Sequence, residues 1–289
     1  MGKLLNKHPE IRVSKPVEIK FLSGNSGLLD LTYGLREFIE MKKSRKFPIK
    51  LLQKFPILKT AIDYQRFHNK ITGHWWMREK RPGKGTGLSS GLDHEVLVLA
   101  LEEYKSNRKI NLESAAQQFL STMVVNQKNN HGEQIWVDTS PPNIMNADRI
   151  HQLFPEAKFI NMVRDGRNTI ASVLKEHWGP NDPIKAIHWW KNRIRMGHRA
   201  LSKIPSNLYL NIQLEELAHF DRERQYQKII EFLEIEDDQK MRNFFDEEVD
   251  GLRVIEKKWE HEISHPRFQQ VFEKASLQLE SEGIQIKHY

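Results

Sequence analysis

The stretch FPEAKFINMVRDGRNTIAS, residues 154–172, sets an apolar run against a cation and a turn. Lys158 to Val163 is nearly continuous in apolar side chains, the pattern of a strand covered on both faces in a parallel sheet. Arg164 closes that strand, Asp165-Gly166 turns the chain, and a helical pattern follows that carries Ser172 eight residues after the arginine. A core needs the strand, but it does not need a cation at the strand's end. Gly166 relieves the turn. Free backbone N–H groups at the start of the helix, with its dipole, favour a negative group there. Arg164 is suited to grip a phosphate through two parallel hydrogen bonds, with the Ser172 hydroxyl as a further donor. Spacing alone leaves a second reading open. Arg164 pairs with an acid such as Asp138, and Ser172 fits a tight helix contact.

Around this stretch, strands alternate with helices. Residues 135–138 (IWVD) form a short strand, TSPPN a turn, and residues 144–153 a helix. Residues 167–177 and 184–203 are expected helices, 208–212 (LYLNI) a strand, and 222–234 and 238–247 helices. This order implies βαβ units and a parallel sheet, in which ligands bind beyond the carboxyl ends of the strands. Arg164 stands at such an end, and so does Thr139-Ser140. Earlier in the chain, residues 28–70 carry apolar residues at helical spacing, broken by Pro48 and Pro56. Residues 81–91 read as a loop, and 92–104 and 111–127 as helices, the second capped by Asn111 with Glu113 and Ser114 in its first turn. Residues 1–5 read as the middle of a helix running to His8-Pro9, with no N-cap before it. HWW occurs at 74–76 and at 188–190 in different surroundings, a coincidence rather than a repeat.

The 289 residues suffice for a substantial core, and the absence of a linker or low-complexity tract favours a single domain over 1–289. Charged residues are 29% and hydrophobic ones 38%, values of a soluble globular chain. The net charge of +7 is spread along the sequence, which favours an anionic ligand in a cleft, while nucleic acid, an acidic surface or a merely basic exterior would also fit. Without cysteine, disulfides, thiolate catalysis and Cys-based zinc sites are excluded. No apolar run spans a bilayer, and residues 1–20 are too charged for a signal peptide, so the chain is expected to be cytoplasmic. No RNA- or DNA-binding motif is present, and the aromatics do not interleave with basic runs.

Residues 154–172 resemble the 3′-phosphate-binding segment of the sulfotransferases, most closely in the tyrosylprotein sulfotransferases and their bacterial relatives. The resemblance implies a P-loop-kinase-like α/β fold, a parallel sheet flanked by helices. It also implies 3′-phosphoadenosine 5′-phosphosulfate (PAPS) as co-substrate. On this likeness Arg164 and Ser172 hold the 3′-phosphate. Asp138 to Pro141 stands where the family has a turn ending in proline, and Trp190 where it has a tryptophan in the following helix. LEEL (214–217) and EFLEI (231–235) follow at familiar distances. Lys258-Trp259 resembles a pair whose lysine contacts the cofactor. Residues 8–22, HPEIRVSKPVEIKFL, resemble the segment carrying the family's catalytic glutamate, which maps onto Glu18. The likeness is strong at 154–172 and thin over 30–130, where acceptor specificity would lie.

The sequence departs from the family in several places. The strand and Arg-Ser-Gly-Thr-Thr-like loop that open the family and wrap the 5′-phosphosulfate have no counterpart before Met1, so the fold is expected to be N-terminally incomplete. Either the start is placed too late or the chain is a fragment, and cofactor affinity and stability should suffer if it begins at Met1. RPGKGTG (81–87) is no substitute, since it lacks the GxxxxGK[ST] order and no strand enters it. Thr139-Ser140 stands where the family often has a lysine reaching the bridging oxygen of the departing group, and Leu214 where tyrosylprotein sulfotransferases have a tyrosine. Both changes put protein-tyrosine specificity in doubt.

The implied reaction is an in-line transfer governed by positioning and electrostatics. Glu18 takes the acceptor's proton, and Thr139 or Ser140 assists the departing phosphate. Without the family, Glu18 reads as a surface residue balancing Lys15 and Lys20. The acceptor is a hydroxyl or amine on a small molecule, carbohydrate or peptide, and no metal is required. Two alternatives stand beside this one. The first is a non-catalytic nucleotide-binding or interaction protein derived from a sulfotransferase by loss of the N-terminal loop. The second is a zinc hydrolase, from the HExxH match at 261–265, which Pro266 disfavours because both histidines must share one helical face.

Overall fold

The computed structural model describes residues 1–35, 56–81, 84–249 and 251–289. The chain forms two compact units, one of Met1–Asn143 with Arg149–Pro155 and one of Ile144–Asp148 with Glu156–Tyr289.

The first unit opens with α1 (Gly2–Leu5), β1 (Ile11–Val13) and α2 (Leu28–Tyr33). There follow α3 (Pro56–Asn69), β2 (Glu79–Arg81), β3 (Lys84–Gly85), α4 (His94–Asn107), α5 (Leu112–Val125) and β4 (Ile135–Val137). Strands β1 and β4 pair in parallel, Ile11 against Ile135 and Val13 against Val137. Asn111 caps α5 as expected, its Oδ1 accepting the Ser114 N–H at 2.8 Å. Helix α5 buries Ala115, Ala116, Phe119, Leu120 and Met123, the helical period turned to one face. Phe119 meets the rings of Phe21, Phe67 and Tyr104 edge-on at 5.7, 5.6 and 5.9 Å, and these rings form the heart of this unit.

The chain continues through a 3₁₀ turn, Pro141–Asn146, into α6 (Ala147–Leu153). The second unit contains β5 (Phe159–Val163), α7 (Gly166–Leu174), α8 (Pro183–Leu201) and β6 (Tyr209–Gln213). Helices α9 (Arg222–Leu233), α10 (Gln239–Glu248), α11 (Gly251–Ile255), α12 (Lys258–Glu262) and α13 (Phe268–Ser281) complete it. Strands β5 and β6 run parallel in register from Phe159/Tyr209 to Val163/Gln213. Asp182 caps α8 by accepting the Lys185 N–H at 2.8 Å. Ile170, Ile187, Trp190, Phe272 and Leu279 form the core that α7, α8 and α13 share.

The architecture is thus α/β, with small parallel strand pairs flanked by helices. Several details differ from the sequence expectations. The first helix stops at Leu5, because Asn6 and Lys7 already turn the chain toward β1. Strand β1 was not legible, being three residues long with an arginine at its centre. The 81–91 segment is not a plain loop, since β2 and β3 pair antiparallel and Leu88–Ser90 forms a 3₁₀ turn. Pro82 and Gly83 within it, and Pro48 in the 28–70 segment, lie outside the described residues. In β5 only Phe159 is buried, and Ile160 to Val163 are half-buried, because β5 has a ladder with β6 alone among the described residues. Among the described residues no helix is long and apolar enough to cross a membrane.

Candidate functional site

The turn from β5 into α7 carries the arginine that the sequence singled out. Arg164 is half-buried, and its Nε is enclosed without a hydrogen-bond partner among the described residues. Beside it Asp165 is fully engaged. Its backbone N–H donates to Glu215 Oε1 at 2.9 Å, and its carboxylate accepts from the Arg167 backbone N–H at 2.8 Å and from Arg167 Nη2 at 2.6 Å. The backbone N–H of Tyr289 adds a further bond to Asp165 at 3.1 Å. Burial alone would raise the Asp165 carboxyl. The hydrogen bonds from Arg167 and Tyr289, with the Arg167 charge, bring it below the usual aspartate range.

Two expectations are corrected here. The Arg167 N–H at the start of α7 is not free for a ligand, because the Asp165 side chain already caps the helix. Gly166 is needed for close approach rather than for the turn. A Cβ there would lie 2.5 Å from Trp190 Cζ2 and 2.9 Å from Phe272 Cε2, so the helix start rests on an indole face that only glycine permits.

Ser172 is exposed on α7, and its hydroxyl donates back to Asn168 O at 2.9 Å. Asn168 itself is buried, and its Nδ2 donates to Glu256 O at 3.0 Å. That bond ties α7 to the segment that delivers Lys258. Lys258 Nζ lies 3.5 Å from Glu256, a loose and partly exposed pair. The neighbouring Trp259 ring underlies the Arg167 guanidinium at 4.7 Å. Arg164, Ser172 and Lys258 all belong to the second unit. Sequence reasoning missed Asn168, Arg167 and Glu215. The signal for Glu215 was present in LEEL, whose first carboxylate is fully buried and also accepts from Gln213 Nε2 at 2.7 Å.

Glu18 lies in the first unit, on the segment between β1 and α2. Lys20 Nζ is 3.2 Å from its carboxylate and Arg78 Nη2 4.0 Å away, and all three side chains are partly exposed. Arg78 replaces Lys15 as the second cation expected beside Glu18. Its Nε donates to Thr86 Oγ1 at 3.1 Å. A Cβ on Gly87 would fall 2.1 Å from Trp76 O and 2.6 Å from Arg78 N. Gly87, the last glycine of RPGKGTG, thus serves close backbone packing against Trp76 and Arg78, just before β2. Asp138 accepts from Asn143 Nδ2 at 2.8 Å, Ser140 Oγ at 2.9 Å and Ile19 N at 3.3 Å. Burial pushes its carboxyl above the usual range against these bonds, which favour the ionised form.

The HExxH pattern does not form a helical pair. Helix α12 ends at Glu262 and Ile263 is extended, so His261 and His265 do not share a helical face. Among the described residues no group of His, Asp and Glu could hold a metal ion.

Residues 58–239 match a family model described as Sulfotransferase family, more than half of the chain. The match takes in Arg164 and Ser172 and leaves out Glu18 and Lys258. Among solved structures, the chain is similar to a sulfotransferase domain from the curacin biosynthetic pathway, at 15% identity and TM-score 0.42, covering 67% of this chain and 77% of that one. It is similar to the sulfotransferase domain of the Synechococcus PCC 7002 olefin synthase, at 18% identity and TM-score 0.42, covering 68% and 78%. A third is the sulfotransferase STF9 from Mycobacterium avium, at 10% identity and TM-score 0.45, covering 100% and 74%. Comparison with curated proteins gives no match.

Proposed function

This chain belongs to the sulfotransferase family, and from that premise we propose that it transfers a sulfuryl group from PAPS to a hydroxyl or amine acceptor. The single-domain reading of residues 1–289 is part of the same proposal. The observation that carries it is the enclosed, partnerless Nε of Arg164 at the carboxyl end of a parallel strand. Leaving a charged donor unpaired out of water costs roughly 1–3 kcal/mol or more, a cost that an arriving anion removes. A ribose phosphate suits this guanidinium, which can meet it with parallel N–H bonds.

Three residues of this chain would hold PAPS. Arg164 grips the 3′-phosphate. Ser172 redirects its hydroxyl from Asn168 O, giving up only a weak bond to the preceding turn. Lys258 exchanges its loose pairing with Glu256 for the cofactor. When bound, PAPS supplies the sulfuryl group and a nucleotide leaving group. Glu18 takes the proton of the acceptor as that group attacks, and Lys20 and Arg78 orient its carboxylate. The acceptor is a small molecule, carbohydrate or peptide.

The test is incubation with radiolabelled PAPS and three acceptor classes: a phenol, an amino sugar and a tyrosine peptide. Calorimetric titration with 3′-phosphoadenosine 5′-phosphate (PAP) accompanies it. Saturable PAP binding with label transferred to one acceptor is expected. Binding without transfer to any class supports the nucleotide-binding alternative, and absence of binding overturns both.

A further inference from the structure

The turn after β4, Asp138-Thr139-Ser140, stands where a donor to the departing phosphate was expected, yet its hydroxyl protons are committed elsewhere. Thr139 Oγ1 donates to Val17 O at 3.0 Å, and the Thr139 N–H donates to the same oxygen at 3.3 Å. Ser140 is buried, and its hydroxyl donates to Asp138 Oδ1 at 2.9 Å. The same Oδ1 accepts the Ile19 N–H at 3.3 Å, and Ser140 Oγ accepts the Lys20 N–H at 3.4 Å. Asn143 holds the other carboxylate oxygen at 2.8 Å and itself accepts from Ser23 Oγ. Main-chain groups of Val17, Ile19 and Lys20 are therefore tied to Thr139, Asp138 and Ser140 respectively, three consecutive residues of one turn, and Glu18 lies between the ties. Lys20 adds a second observation. Its backbone is left-handed, at φ 56°. That conformation is disfavoured for a residue with a Cβ, so the segment needs tethering to stay in place.

We infer that Asp138 and Ser140 are positioning residues that fix the backbone on either side of Glu18, a role that rests on Glu18 being the base. Asp138 suits this task because a carboxylate offers two oxygens and about four acceptor directions, enough to collect Ile19, Ser140 and Asn143 at once. A hydrogen-bonded turn on a strand end gives a base on a loop the rigidity that its own short segment lacks. A displacement of about 1 Å at a proton acceptor is enough to lower a transfer rate by roughly 10²-fold.

The test compares Asp138→Ala, Glu18→Gln and the double variant with the parent. Amide exchange at Ile19 and Lys20 should rise about tenfold in Asp138→Ala, as expected for a local opening, with the core amides of α5 unchanged. Transfer from PAPS to the acceptor found active should fall roughly 10²-fold while PAP affinity stays at the parent value. The double variant should be no slower than Glu18→Gln alone, because a positioning residue has nothing left to position. Unchanged exchange at residues 19 and 20, or a double variant slower than Glu18→Gln by the full effect of Asp138→Ala, overturns the inference. Should Asp138→Ala fail to fold, Ser140→Ala removes only the Lys20 tie and the Asp138 contact and is read the same way. A parent that fails to bind PAP defeats the sulfotransferase reading, and the exchange result still decides whether this turn holds the segment.

Discussion

The turns after β4 and β5 both follow the carboxyl ends of parallel strands, and they treat charge in opposite ways. After β4, the Asp138 carboxylate is surrounded by donors from Ile19, Ser140 and Asn143. After β5, Arg164 is left with an enclosed Nε and no acceptor for it among the described residues, although a carboxylate sits beside it in sequence. Asp165 is not available to it, being spent on the helix cap, on Arg167 and on Tyr289. A saturated charge stiffens its surroundings, whereas an unsatisfied one is a standing demand for a partner. The first turn holds chain, and the second is the one proposed above to receive a phosphate.

The contrast is broken or sharpened by a series of substitutions. The largest effect is expected at the group that the saturated turn carries. Glu18→Gln should lower transfer by roughly 10²–10⁴-fold, with PAP affinity in calorimetry unchanged. Arg164→Ala should weaken PAP binding by ~1.5–3 kcal/mol without lowering the melting temperature, since its Nε has no hydrogen-bond partner to lose among the described residues. Equal PAP affinities would erase the distinction between the turns. Gly166→Ala should cost about 1–3 kcal/mol in thermal or denaturant unfolding, because its methyl meets Trp190 and Phe272. A smaller effect concerns acid. The Asp165 carboxyl is held low, so the stability it contributes is full above the ordinary aspartate value of about 4 and is lost as pH falls through its lower folded value. Asp165→Asn should flatten that acid limb in melts taken from about pH 6 downward. The smallest is His261→Ala, which should leave transfer and melting temperature at the parent values, since α12 ends before His265.

Much of the fold was legible because long periodic segments declare themselves. The helices at 94–107, 112–125, 183–201 and 222–233 fell close to expectation, and so did the strands that alternate with them. The Asn111 cap was readable because an asparagine three residues before a small polar residue has a local mechanism. Strand β1 was hidden because three residues carry too little pattern to signal a pairing with a segment more than a hundred residues away. The candidate site was legible only in part. Arg164 and Ser172 were singled out by their spacing, and Lys258 was named only by the family resemblance. Arg78, Asn168 and Glu215 do not, since each works through a neighbour distant in sequence: Glu18, Glu256 and Asp165.

From the residues alone came the alternation of strands and helices, the cation at the end of β5 and the likeness that names a nucleotide phosphate as its partner. These depend on local period and on side-chain chemistry, which are written in order along the chain. Whether a charge is already spoken for was decided only by the folded arrangement. Asp165 and Arg164 are adjacent residues of opposite charge. Asp165 is saturated and Arg164 is not, among the described residues, because the donors that reach the Asp165 carboxylate arrive from Arg167 and Tyr289 rather than from its neighbour.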